Sequence, residues 1–108
     1  MTSVEPGDKV ILSYTSCKKC PACQSGANAY CESIFPLNFH GKRADGSRPA
    51  KDAQGNELNS FFFGQSSMGR QALVHENSAV RIDARNDDEL KLFASLPCGL
   101  QTGYGAVR

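Results

Sequence analysis

Apolar positions in this chain fall in short blocks separated by polar, glycine-rich stretches, and that spacing sets the elements to expect. Pro6-Gly7-Asp8 is a turn signal, and Lys9-Val10-Ile11-Leu12-Ser13-Tyr14 after it reads as a β-strand. Gln71-Ala72-Leu73-Val74 and Ala79-Val80-Arg81-Ile82 predict two further strands, joined by a hairpin-like His75-Glu76-Asn77-Ser78. One segment has helical character. Asn86 is placed to cap it, Glu89 three positions on resembles a capping box, and Leu90, Phe93, Ala94 and Leu96 supply an apolar face. Pro97 is expected to end it. Residues 38–60 carry Gly41, Asp45-Gly46, Pro49 and Gly55-Asn56 among scattered charges, a loop composition that suggests a short hairpin at Asp45-Gly46. Such a long loop in a small domain is expected to be functional or partly disordered. Phe61-Phe62-Phe63 ends it abruptly.

Between the first strand and this loop, hydrophobic periodicity gives way to cysteines. Cys17, Cys20, Cys23 and Cys31 stand at spacings of two, two and seven intervening residues. Four thiolates around one tetrahedral zinc ion account for this set best, and the short spacings let one loop supply three ligands. Lys18 and Lys19 lie among the ligands, and their charge is expected to help keep the thiols in the metal-binding thiolate form. Two alternatives stay open. The same cysteines could form disulfides in three pairings. They also share the C-x2-C-x2-C opening of bacterial ferredoxins, but there a fourth cysteine follows three residues later and precedes a proline. Here the last gap is seven residues, and the proline follows Cys20.

Composition narrows the function classes. A chain of 108 residues makes one domain, 1–108, with a modest core that a metal in a lobe at about 16–34 would reinforce. The formal net charge is +1, or about −1 with four thiolates and one zinc ion, so no electrostatic case exists for nucleic acid or a membrane surface. No apolar run approaches the roughly 18 residues of a membrane span. The first residues have neither the basic nor the apolar region of a signal peptide, and five cysteines is an odd number. A reducing, cytoplasmic setting is the expectation.

Three pieces in order, Pro6-Gly7-Asp8-Lys9-Val10, the four-cysteine lobe and Cys98-Gly99-Leu100-Gln101-Thr102-Gly103, resemble the zinc-dependent medium-chain alcohol dehydrogenases. Gly64-Gln65-Ser66-Ser67-Met68 between them is most similar to the aryl- or benzyl-alcohol branch, with methionine where that branch mostly has phenylalanine. The resemblance spans essentially the whole chain. It implies a mainly β fold, part of a GroES-like barrel carrying a zinc lobe and a short helix. It also implies NAD(P)-dependent interconversion of an alcohol and an aldehyde by a homo-oligomer, with a catalytic zinc acting as Lewis acid on the substrate oxygen. The four-cysteine zinc would be structural, since a closed site leaves no position for substrate.

By position, Cys98 looks like a ligand of the catalytic zinc, Thr102 like a residue beside the nicotinamide, and Phe62 and Phe63 like walls of the substrate cleft. A lone Cys98 would otherwise be a small buried hydrophobe, and the phenylalanines plain core. The remaining catalytic ligands lie, in family members, before the Pro-Gly-Asp turn; His40 and His75 match neither and are expected at the surface. Gly103-Tyr104-Gly105 lacks the third glycine of a dinucleotide fingerprint. The chain ends without a closing signal, so a piece of an enzyme, inactive on its own, is the expectation. A non-catalytic zinc module and a ferredoxin-like electron carrier are the alternatives from other classes.

Overall fold

The computed structural model describes residues 4–65 and 69–108. It divides into two compact units, one formed by residues 4–13 and 76–108, the other by Tyr14–His75.

The first unit is built on strand β1 (Val10–Leu12) paired antiparallel with β2 (Ala79–Arg81), with Ile11 opposite Val80. Flanking bonds from Ser13 N–H to the Ser78 carbonyl (2.8 Å) and from Ile82 N–H to the Lys9 carbonyl (3.0 Å) lengthen the pairing at both ends. The turn before β1 follows from its residues. Pro6 presets φ, Gly7 adopts φ +99°, and the Asp8 N–H closes on the Glu5 carbonyl at 3.0 Å. Asp8 then pairs with Arg81 across the ladder at 3.4 Å.

Two expectations change here. Residues 71–74 make no strand; Glu76–Ser78 forms a 3₁₀ turn and β2 takes β1 as its partner, so the expected 71–82 hairpin is absent. The ladder wins because Ser78 and Ala79 are buried in it, whereas Leu73 is exposed and gains no burial from pairing. Secondly, the strands among the described residues are two, of three residues each, forming an open sheet rather than a closed barrel.

The expected helix forms as α3 (Asp87–Phe93). Asn86 Oδ1 accepts the Glu89 N–H at 2.9 Å, and three acidic residues in the first turn favour the helix dipole. Glu89 departs from a capping box: its carboxylate accepts the Arg85 N–H (2.6 Å) and pairs with the Arg85 guanidinium (2.9 Å). Nor does Pro97 end the helical path. With no N–H and a ring that excludes the usual bond, it sits in a wider π-turn, Leu96–Leu100, where the Leu100 N–H reaches the Ser95 carbonyl at 3.1 Å. Helix α4 (Gln101–Ala106) follows directly.

The second unit holds α1 (Pro21–Gln24), a 3₁₀ turn at Asn28–Tyr30, α2 (Ile34–Phe39) and a 3₁₀ turn at Phe62–Gly64. Its centre is thiol and amide rather than hydrocarbon. Cys20, Cys23 and Cys31 cluster with Cys17, Ala22 and Ile34 against them. Asn38, 1 % exposed, joins α2 to the lobe entrance: its Oδ1 accepts the Thr15 N–H (2.9 Å), and its Nδ2 donates to the Thr15 and Ile34 carbonyls at 2.8 and 2.7 Å. The polar stretch after α2 is ordered by its own turns. Residues 43–47 close through Gly46 N–H to the Arg43 carbonyl and Arg43 N–H to the Ser47 carbonyl, which realises the turn expected at Asp45-Gly46 without a ladder. A second turn at 52–56 carries the Lys51–Glu57 bridge, and the Ser60 N–H donates to the Gly41 carbonyl at 2.9 Å to close the excursion.

Candidate metal centre

The four cysteines come together because each local turn aims a sulfur inward. Cys20 stands at the N-cap of α1, and Pro21 at the first helical position needs no N–H there. One helical turn then places Cys23 on the same side as Cys20. The helix ends in a Schellman motif: Ala27 N–H bonds the Ala22 carbonyl (2.9 Å) and Gly26 N–H the Cys23 carbonyl (3.1 Å), with Gly26 at φ +86°. That reversal, followed by the 3₁₀ turn at Asn28–Tyr30, returns the chain so that Cys31 faces the first three thiols. Neither this short helix nor the buried Asn38 clamp was read from the sequence, since four residues show no helical period and a polar residue in a polar stretch carries no sign of burial.

The sulfurs all lie within 4.8 Å of one another, and Cys17 Sγ is 3.9 Å from Cys23 Sγ. Zinc–thiolate bonds of about 2.3 Å in a tetrahedron require sulfurs roughly 3.8 Å apart, so the donor set fits one zinc ion. A cube of iron and sulfide is wider than one ion and would hold its thiolates further apart. All five cysteines are free, which sets aside the disulfide alternative. Cys23 and Cys31 are buried, Cys20 is 9 % exposed and Cys17 half-buried.

Backbone amides dress these sulfurs. Cys17 Sγ accepts the Lys19 and Cys20 N–H groups at 3.5 and 3.4 Å, and Cys31 Sγ accepts the Cys17 N–H at 3.3 Å. The Lys19 amide, then the Cys20 amide, hold the Cys17 thiol at about 6, well below the ordinary thiol range. The Glu32 and Cys23 amides lower Cys20 likewise. Burial pushes Cys23 up to about 11 instead. The expected contribution of the lysine charges is replaced by geometry: Lys18 and Lys19 are exposed, and Lys18 takes φ +58°, a left-handed kink that turns the next two N–H groups onto Cys17.

This cluster is the one grouping of metal-competent side chains among the described residues, and it is made of these four cysteines alone. Cys98 presents an exposed thiol in the Leu96–Leu100 turn, and Thr102 is exposed on α4. Phe63 is half-buried at φ +56°, and Phe62 is 63 % exposed; they stack edge to face at 4.6 Å and both contact Phe39, at 5.2 and 5.8 Å. Phe39 in turn meets Phe35 at 5.5 Å, so the rings form an aromatic wall rather than a closed core. His40 packs edge-on against Phe35 and His75 is exposed, both at the surface as expected. Of the Gly64–Met68 segment, positions 66–68 lie outside the described residues.

No family model matches the chain. Individual proteins do. The chain is 43 % identical over 106 residues to a geraniol dehydrogenase of Castellaniella defragrans, covering 97 % of this chain and 28 % of that protein. Among solved structures, an alcohol dehydrogenase zinc-binding domain protein from Burkholderia ambifaria matches with a TM-score of 0.85 at 42 % identity, over 99 % of this chain and 28 % of that one. Benzyl alcohol dehydrogenase from Acinetobacter calcoaceticus matches with a TM-score of 0.75 at 38 % identity, over 98 % and 27 %. The chain thus spans little more than a quarter of the length of these relatives. Over that segment sequence, fold and a zinc-competent thiol cluster agree, and the chain belongs to the zinc medium-chain alcohol dehydrogenases.

Proposed function

We propose that this chain supplies the structural zinc lobe and part of a GroES-like catalytic barrel to an NAD(P)-dependent alcohol dehydrogenase that interconverts an alcohol and an aldehyde. The observation that carries it is the closed four-sulfur cluster, in a chain whose relatives over the same span are named dehydrogenases of benzyl alcohol and geraniol. Cys17, Cys20, Cys23 and Cys31 would fill all four positions of a zinc ion, so the ion there braces the lobe and meets no substrate.

Chemistry belongs to a second zinc, with Cys98 as one of its ligands; when bound, that ion supplies Lewis-acid polarisation of the substrate oxygen. Thr102 lies in the same segment and borders the nicotinamide. Phe62 and Phe63 line the substrate cleft, and an edge-to-face pair with Phe62 exposed and Phe63 half-buried suits a flat aromatic alcohol. The complete enzyme works in the cytoplasm as a homo-oligomer, on a small alcohol or aldehyde, with no role for nucleic acid or membrane. By itself the 108-residue chain binds one zinc and turns over nothing, which is also how a non-catalytic zinc module would behave.

The complete enzyme separates these readings. Cys98→Ser there removes one of two zinc ions per subunit and reduces NAD(P)-linked oxidation of benzyl alcohol at least a hundredfold, while the lobe zinc stays. Unchanged turnover and zinc content in that variant would refute the catalytic assignment.

A further inference from the structure

We propose that the second unit carries a binding site for a small carboxylate with an apolar, preferably aromatic, body, separate from the zinc lobe and from the Phe62–Phe63 wall. The cavity has a volume of about 360 Å³, at the small end of the roughly 300–1,000 Å³ typical of ligand pockets. Leu37, Phe61, Leu73 and Val74 line it with apolar side chains, and Lys42, Arg43 and Asp45 with charged ones.

Three features make this a formed site. Gly64 lets lining segments pack closely: at φ +68° it has no Cβ, and one placed there would crowd the Leu37 carbonyl oxygen at 3.1 Å and Thr15 Oγ1 at 3.3 Å. Arg43 is held in place from both sides. Its backbone closes the 43–47 turn at N–H and C=O alike, and its guanidinium lies over the Phe61 ring at 5.2 Å. Charge is the third. Neither Lys42 nor Arg43 forms an ion pair among the described residues; Asp45 also lines the cavity and feels the Arg43 charge, but its carboxylate accepts the Ser47 N–H at 2.9 Å, so the lining carries two cations against one anion. An apolar pocket whose lining carries two adjacent cations against one carboxylate complements a ligand with the opposite pattern, an apolar body ending in one anionic group. A planar guanidinium matches a carboxylate in particular.

Benzoate is the probe, titrated into the zinc-loaded chain and followed by calorimetry and by amide chemical shifts. Saturable binding is expected, with shifts centred on residues 42–45, 61 and 73–75. Benzyl alcohol, with the same body and no charge, and acetate, with the charge and no body, should each bind at least tenfold more weakly. The double variant Lys42→Gln/Arg43→Gln should lower benzoate affinity at least tenfold, and Val74→Trp should abolish it by filling the cavity; zinc content reports that both remain folded. Phe62→Ala should leave affinity unchanged. Absence of saturable binding, equal affinity for benzoate and benzyl alcohol, or indifference to the double variant would overturn the site. Loss of binding in Phe62→Ala would move the ligand to the aromatic wall and refute it equally.

Discussion

At the scale of single residues, the zinc lobe depends on where N–H groups point. Lys18 occupies a left-handed conformation that costs a non-glycine residue about 1 kcal/mol, and the kink delivers the Lys19 and Cys20 amides to Cys17. The amides, not the ammonium groups, do the stabilising. Lys18→Gly combined with Lys19→Gln should therefore keep zinc affinity within about threefold of the parent, and a loss of tenfold or more in competition with a chelator would restore the charge explanation. The metal-free chain should also show a pH signature. Cys17 is lowered from 9.0 to about 6, so its stabilising contribution is complete above pH 9 and disappears as pH falls through 6. Cys23 is raised from 9.0 to about 11, so its contribution is complete below pH 9 and is lost as pH climbs towards 11. Denaturant melts of the metal-free chain should thus show stability rising between pH 6 and 9 and falling above it; a flat profile would show that the amide bonds do not survive without metal.

At the scale of elements, the lobe and the cap of α3 were legible because each rests on local chemistry: closely spaced cysteines, and an asparagine just before α3. The α1 turn inside the lobe was not, since four residues are too few to show a helical period. Partner choice was not legible. Residues 71–74 have strand composition, yet β2 pairs with β1 across a long sequence separation that no local pattern records. Pro97 misled for a related reason: it forbids the ordinary helical bond but not a wider one. Asn38 is the most consequential residue hidden from sequence. Replacing it with Ala leaves the Thr15 N–H and C=O buried without their partner, and should lower the stability of the zinc-loaded chain by about 3 kcal/mol. A loss below about 1 kcal/mol by chemical denaturation would mean that water takes its place.

At the scale of the whole molecule, hydrocarbon burial is scant: among the described residues, the buried hydrophobic ones apart from three cysteines are Ala79 and Ala84. Leu92, Leu100, Tyr30 and Phe35 all face outward. A chain with so little core relies on its metal, and binding free energy becomes folding free energy. The position of Cys98 outside the thiol cluster gives the same picture from the other side, since the cluster is complete without it. Metal content per chain tests this most directly. Freshly purified protein analysed for zinc and iron should contain one zinc per chain, removed by chelation together with most of the thermal stability. Iron in place of zinc, or a chain that melts identically with and without its metal, would contradict a structural zinc lobe.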